Sequence, residues 1–395
     1  MNKKTIRDID VDGKRTLVRV DFNVPIDKAS GEILDDTRIR AALPTIKYLR
    51  EHQAKIILVS HLGRPDGKVV ESARLAPVGK RLGELLKTSV TCASDVAGDS
   101  ARGVVDGLQP GSVALLENVR FEAGEEKNDD ALARQLASFA DVFVNDAFGA
   151  AHRAHASTAG VAQHLPAVAG LLMEKEIDYL GRVVSNPEPP VAAIIGGAKI
   201  SSKIAVLKHL LSKVNTLVVG GGMASTFLKA QGRDVGESLV EDDQLETARE
   251  IMREAERRNL SLGLPVDVVL GERFAEDTAA KNADAADIPD GWMILDIGKV
   301  TVEDYKMRLR PAKTVVWNGP MGVAEWEKFA HGSRELAEFL AGLDATVIIG
   351  GGETVALVQE MGIADRFDHV STGGGASLEF LEGKELPGVA ALLDR

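Results

Sequence analysis

The chain has 395 residues and a formal net charge of −12, from 47 basic against 59 acidic side chains. That surplus of acid argues against broad binding to nucleic acid or anionic membranes, and the single cysteine, Cys92, excludes an intramolecular disulfide and suits a reducing compartment. The opening MNKKTIRDID has no apolar core like that of a signal peptide, and no apolar run approaches the roughly 20 residues that span a bilayer, so a soluble, cytoplasmic protein is expected.

At about 150 residues per domain, the length allows two or three domains. Hydrophobic residues make up 45% and aromatics only 4%. Cores of Ala, Val, Leu and Ile with abundant Gly suit helices alternating with buried parallel strands. The first half repeats that alternation. TLVRV runs into DFNVP, KIILVS into HLGRP, SVALLE into NVRF, and DVFVN into DAFGAAHRAHAS. Amphipathic stretches such as DTRIRAALPTIKYLREH and DDALARQLASFA lie between them. Such βαβ units gather ligands beyond the carboxyl ends of their strands. Those ends carry Asp21, Asn23, His61, Arg64, Arg120, His152, Arg153 and His155, and Arg38 opens the first helix.

A helix is expected over 174–184, and the Pro-rich break at 185–190 ends it and marks a domain boundary. Beyond it the strand ends change character. VAAII ends in GGAK, TLVVG in GGMAS, TVIIG in GGETVA and HVS in TGGGAS; DVVLG, MILDIG and TVVWNGP continue the strand series. Glycine lets backbone amides approach a ligand, and helix N-termini attract anions. One glycine-rich end is explained by a tight turn alone; several in one half point to a nucleotide or phosphate. The charged run from Glu241, EDDQLETAREIMREAERRN, reads as a solvated helix face.

Chemistry follows from the two sets. A lone arginine usually makes a surface ion pair, but Arg38, Arg64, Arg120 and Arg153 together at strand ends form a site for a small dense anion. Lys199 and Lys203, four residues apart, are expected on one face of a helix, reaching a phosphate chain at its start. Glu353 is a candidate magnesium contact, because magnesium takes few protein carboxylates along with phosphate oxygens and water. Two anion sites on two domains imply transfer between them.

The motifs RVDFNVP, DDTRIRAALPTI, SHLGRPDG, LLENVRF, AHRAHAST, GGAKISSK, GGGMASTFLK, VWNGPMGV, GGGET and STGGGASLEFLEGK occur in this order. With them the chain resembles the phosphoglycerate kinases end to end. The resemblance implies an α/β fold of two Rossmann-like domains, each a parallel sheet flanked by helices, joined by an interdomain helix and hinge. It places a 3-phosphoglycerate domain at 1–173, the interdomain helix and hinge at 174–186 and a nucleotide domain at 187–383, with 384–395 packing back on the first. The implied reaction interconverts 1,3-bisphosphoglycerate plus ADP with 3-phosphoglycerate plus ATP, in a magnesium-dependent monomer of glycolysis that needs neither nucleic acid nor membrane.

Carried over by motif, Asp21, Phe22, Asn23, Arg38, His61, Leu62, Gly63, Arg64, Arg120 and Arg153 meet the triose. Gly197, Ala198, Gly222 and Gly298 line the adenosine side, and Glu325 meets the ribose. Asn318, Lys203, Gly351, Gly352, Glu353 and Thr354 meet the phosphates, with Glu353 toward Mg2+. Arg38, Lys199 and the backbone of Gly373 and Gly374 surround the moving phosphoryl group. The acceptor carboxylate has a pKa near ~4 and is already ionised at neutral pH, so no general base is needed, and His152 and His155 are expected to support by hydrogen bonding. Three positions depart from the family pattern: Ala324 replaces a bulkier aromatic, Glu353 an aspartate and Lys299 a proline.

Two rival readings leave residues idle. A dinucleotide oxidoreductase lacks G-x-G-x-x-G after a first strand and has no use for the arginines. A non-catalytic protein closing on a phosphorylated ligand leaves the lysine pair and GGGET unused. The P-loop spacing G-x-x-x-x-G-K-[ST] is absent.

Overall fold

The computed structural model describes residues 2–27 and 30–395. The chain divides into two compact units, Met1–Asp178 with Glu385–Arg395, and Tyr179–Lys384.

The first unit is built on β1 (Arg15–Arg19), β2 (Lys55–Val59), β3 (Val90–Cys92), β4 (Val113–Leu115), β5 (Val142–Asn145) and β6 (Ala167–Ala169). They form one parallel sheet in the order β3-β4-β2-β1-β5-β6. Leu17 stands opposite Ile57 on one side and Phe143 on the other, and all three are fully buried. Near-continuous apolar runs are what a sheet covered on both faces requires. Helices Thr37–Glu51, Ala76–Leu86, Asp99–Asp106 and Asp130–Ala137 connect successive strands. The chain winds from β1 toward β2 and later returns to place β5 on the other side, so strand order reverses at β1. Ligands of open α/β sheets settle at such a reversal.

The second unit repeats the plan with β7 (Val191–Ile195), β8 (Thr216–Val219), β9 (Ser261–Gly263), β13 (Thr314–Asn318), β14 (Thr346–Gly350) and β15 (His369–Val370). Their order is β15-β14-β13-β7-β8-β9, so the reversal falls between β7 and β13. A separate antiparallel sheet, β11-β10-β12, holds β10 (Asp267–Gly271), β11 (Ala280–Asp284) and β12 (Met293–Ile297). It has its own small core of Leu228, Val235, Val268, Leu270, Ala285, Ile288 and Ile294. Here the sequence reading needs correcting: DVVLG and MILDIG do not continue the parallel sheet. The link 272–279 is too short for a crossover helix, so the chain must return antiparallel. β11 reads AKNAD and is exposed at alternate positions, which hid it as a strand.

The expected helix at 174–184 is longer, Leu171–Ser185, and the division between the units falls within it. Its early start comes from distant side chains. Thr45 accepts from the Leu171 amide at 2.8 Å, and Asp146 accepts from Leu172 and Met173 at 2.9 and 3.1 Å. Among the described residues no helix is long and apolar enough to cross a membrane.

Candidate active site

The carboxyl ends of β1, β2, β4 and β5 bring the first residue set together. After β1, the buried side of Asp21 receives Arg38 Nη1 at 3.0 and 3.1 Å to its two oxygens. Burial pushes the Asp21 carboxyl up, but the charges of Arg38 and Arg19 oppose it and the group stays below its ordinary value. Asn23 Oδ1 accepts from the Gly63 amide at 2.9 Å, joining the loops after β1 and β2. Arg120 Nη1 donates to the Gly63 carbonyl at 2.8 Å, and its Nε lies 3.3 Å from Glu126. Arg64 and Arg153 are exposed, and no ion pair engages either among the described residues. Their charges are near enough to Arg120 to oppose its protonation. A cavity of about 530 Å³ opens beside Asn23, Leu62, Gly63 and Arg64.

Beneath this surface lies a network absent from the sequence-based site. Arg19 ends β1 and is buried. Its Nε donates to Ser157 Oγ at 2.8 Å, Nη1 to the Val20 carbonyl, and Nη2 lies 3.1 Å from His61 Nδ1. Ser157 Oγ in turn donates to Glu125 at 2.6 Å, and His155 lies 3.7 Å from the same carboxylate. Guanidinium has no acceptor lone pair, so His61 Nδ1 must accept and the neutral ring carries its proton on Nε2. Burial, reinforced by Arg19, Arg120 and Arg38 against the pull of Asp21, lowers His61 to about 3. Burial and the surrounding arginines lower His155 to about 4. Both rings are therefore neutral near pH 7. The signal in the sequence was an arginine inside the apolar strand TLVRV, since a buried charge demands partners.

Asn118 is the second omission. Fully buried, it accepts from the amides of Leu62 and Arg120 at 3.2 and 3.1 Å and donates to the carbonyls of Leu62 and Ala73 at 2.7 and 2.9 Å. It thus ties the His61 loop to the Arg120 turn. Phe22 and Leu62 are buried. The Phe22 amide donates to Ser60 Oγ at 2.9 Å, so both serve as loop anchors.

In the second unit the reversal between β7 and β13 opens a cavity of about 560 Å³. Gly197, Ala198, Lys199, Lys203, Asn318, Gly351, Gly352, Glu353 and Gly374 line it, joined by Gly196, Gly319 and Gly375. Gly197 has φ +110 and Gly351 φ +83, backbone that L side chains rarely adopt. A Cβ on Gly196 would meet the Pro320 carbonyl at 2.0 Å. The Lys203 ammonium donates to Asn318 Oδ1. Burial lowers its pKa, with Glu353 and Glu382 opposing. Asn318 Nδ2 is buried without a hydrogen-bond partner, on a side chain that lines the cavity. Gly352, Glu353 and Thr354 begin the helix Gly352–Glu360, where the first amides lack intrahelical acceptors.

Several expected placements change. Lys199 and Lys203 do not share a helix face: the helix is Ile204–Leu210, Lys203 caps it and Lys199 lies in the preceding loop. A bend at Gly197 and Ala198 and a turn over 201–203 separate the strand from that helix. Thr354 lies outside the cavity lining; its hydroxyl accepts from the Gly319 amide at 2.9 Å. Gly222 begins the helix Gly222–Ala230, and a Cβ there would lie 2.9 Å from the Ala198 carbonyl. Gly298 also lies outside, where a Cβ would lie 2.2 Å from the Asp267 carboxylate. Gly373 donates its amide to Ser371 Oγ at 3.1 Å. Glu325 is exposed and Ala324 is buried in the main core of this unit. Lys299 is the first residue of the helix Lys299–Leu309. Proline is favoured at a first helical position, so lysine and proline there serve the same backbone.

Glu353 is the exposed carboxylate on the cavity. Among the described residues there is no group of three or more His, Cys, Asp or Glu side chains able to hold a metal. One carboxylate suits magnesium only where phosphate oxygens and water complete its shell, and the adjoining lysines and amides are what a phosphate chain needs.

The family model for phosphoglycerate kinase matches residues 6–384. The phosphoglycerate kinase of Pelotomaculum thermopropionicum is 56% identical over 395 residues, 100% of both chains. That of Moorella thermoacetica is 55% identical over the same coverage. The solved structure of phosphoglycerate kinase from Coxiella burnetii matches with a TM-score of 0.89 at 41% identity, over 98% of each chain. That from Pyrococcus horikoshii OT3 gives 0.86 at 34%, again over 98% of each. This chain therefore belongs to the phosphoglycerate kinase family, phosphotransferases with a carboxyl acceptor that interconvert 1,3-bisphosphoglycerate plus ADP with 3-phosphoglycerate plus ATP.

Proposed function

We propose that the arginine set of the first unit holds the triose and that the glycine-lined cavity of the second holds the nucleotide phosphates. In this reading Arg64, Arg120 and Arg153 bind the non-transferring phosphate, and His61 adds one neutral N–H donor. Asp21 and Asn23 orient the hydroxyl and carboxyl groups. Gly351, Gly352 and Glu353 offer the phosphate chain the start of a helix, while Lys203 and Asn318 supply two further donors. Gly222, Gly298 and Glu325 belong to the adenosine side.

The observation that carries this reading is the arginine set at the strand ends, with Arg64 and Arg153 exposed and outside any ion pair among the described residues; the titratable groups beside them agree with it. His61 and His155 are lowered to about 3 and 4, and Asp21 is held below its ordinary value. None is poised to exchange a proton at neutral pH. An acceptor that is already a carboxylate needs no base. Its difficulty is electrostatic, since an anion must approach an anionic phosphoryl group, and positioning with cationic stabilisation answers it. Arg38 from one unit, and Lys199 with the Gly373 and Gly374 backbone from the other, are the groups assigned to the migrating phosphoryl. Closure of the hinge would bring them together and exclude water.

Magnesium, held through Glu353 and phosphate oxygens, would neutralise charge on the nucleotide. A cytoplasmic monomer in glycolysis completes the reading, on the strength of the family and the single cysteine. A coupled assay for ATP formation from ADP and 1,3-bisphosphoglycerate tests the whole. Absence of turnover with tight binding of both ligands would favour the non-catalytic alternative.

A further inference from the structure

The helix Leu171–Ser185 runs from one compact unit into the other, and its first three amides are satisfied by only two side chains. Thr45, fully buried, accepts from Leu171 at 2.8 Å. It lies on the helix Thr37–Glu51, whose first turn carries Arg38. Asp146, also fully buried, takes the amides of Leu172 and Met173 on one oxygen. Asp146 follows β5 and opens the loop that leads to Arg153; its own amide donates to the Arg19 carbonyl at 2.8 Å. The approach is close: a Cβ on Gly170 would stand 2.1 Å from Asp146 Oδ1. A helix ordinarily takes its N-terminal cap from the residue just before it. This one takes its caps from positions 126 and 26 residues away in sequence.

We propose that Thr45 and Asp146 are positioning residues that fasten the start of the helix Leu171–Ser185 to the elements bearing Arg38 and Arg153, so that movement of this helix is transmitted to the two cations. The inference rests on the transfer reading above. Neither residue touches the reacting groups. Both act through the rigid elements they join: the Arg38 helix lies against the sheet, with Ile39, Ala42, Ile46 and Leu49 in the main core, and Leu171 packs on that same core.

Thr45→Val keeps the shape and removes the acceptor; Thr45→Ser restores it. For Thr45→Val we expect about a tenfold fall in kcat for ATP formation, with the dissociation constant for 3-phosphoglycerate alone within about twofold of wild type. Thr45→Ser should recover most of the rate. An unchanged kcat overturns the proposal. So does a parallel loss of triose affinity, which would mean local damage, and so does a serine variant as impaired as the valine. If Thr45→Val does not fold, Thr45→Cys, a weaker acceptor of similar shape, is judged by the same criteria. Wild-type protein assayed alongside separates the two readings: no turnover there refutes the transfer reading itself.

Discussion

Replacing His61 by glutamine removes one titration from the buried arginine network. The folded ring keeps off its proton down to about pH 3. In the unfolded chain the same ring protonates near 6.5. Unfolding between those values therefore takes up a proton. The stability this contributes is fully present above pH 6.5 and is lost as pH falls toward 3. Between pH 7 and 5 the unfolded ring passes from mostly neutral to almost fully charged, while the folded ring stays neutral. That difference is worth about 2 kcal/mol, a sizeable part of the 5–15 kcal/mol typical of a domain. Urea denaturation of both proteins at the two pH values measures it. Wild type should lose about 2 kcal/mol more than His61→Gln on acidification. Any fixed packing cost of the substitution cancels in this difference. Equal losses would show that folded His61 accepts a proton above pH 5, and the assignment of Arg19 as donor to its Nδ1 would fail.

Arg38→Ala and Lys199→Ala should each lower turnover by about 10²–10³ with much smaller effects on ligand affinity; steady-state kinetics beside equilibrium titration checks this, and wild-type turnover in both sinks the clamp. Asn118→Leu orphans the groups it now pairs at Leu62, Ala73 and Arg120. We expect roughly 2–4 kcal/mol of destabilisation and a raised KM for 3-phosphoglycerate, read from denaturation and kinetics; a wild-type KM would contradict the tie it makes. Glu353→Gln should raise the magnesium concentration for half-maximal rate about tenfold, and an unchanged magnesium titration removes Glu353 from the metal shell. Lys299→Pro should leave the melting temperature almost unchanged, since position 299 begins a helix; a large drop would mean that the Lys299 amide is needed.

Periodicity alone exposed much of the fold. The runs TLVRV, KIILV, VAAII, TVVWN and TVIIG became β1, β2, β7, β13 and β14, because an apolar run with a polar end suits a parallel strand buried on both faces. β11 left no such trace, because a short strand with one face in solvent need not be apolar. The start of the helix Leu171–Ser185 was hidden for another reason: its caps, Thr45 and Asp146, are remote in sequence. Lys199 and Lys203 have helical spacing, yet a turn over 201–203 delays the helix to Ile204 and leaves Lys199 in a loop.

At the site, the residues that sequence revealed are those with exposed chemistry: arginines at strand ends and glycines at turns. Those it concealed, Arg19, Glu125, Ser157 and Asn118, are buried polar groups whose meaning depends on partners. The amino-acid order by itself determined which units would form and which side chains could meet an anion, because local pattern and residue chemistry are carried by neighbours along the chain. Only the tertiary structure decided which nitrogen of His61 bears the proton, what holds the Arg120 turn and where the connecting helix begins. Each of those depends on hydrogen bonds between atoms distant in sequence, and such bonds leave no periodic mark.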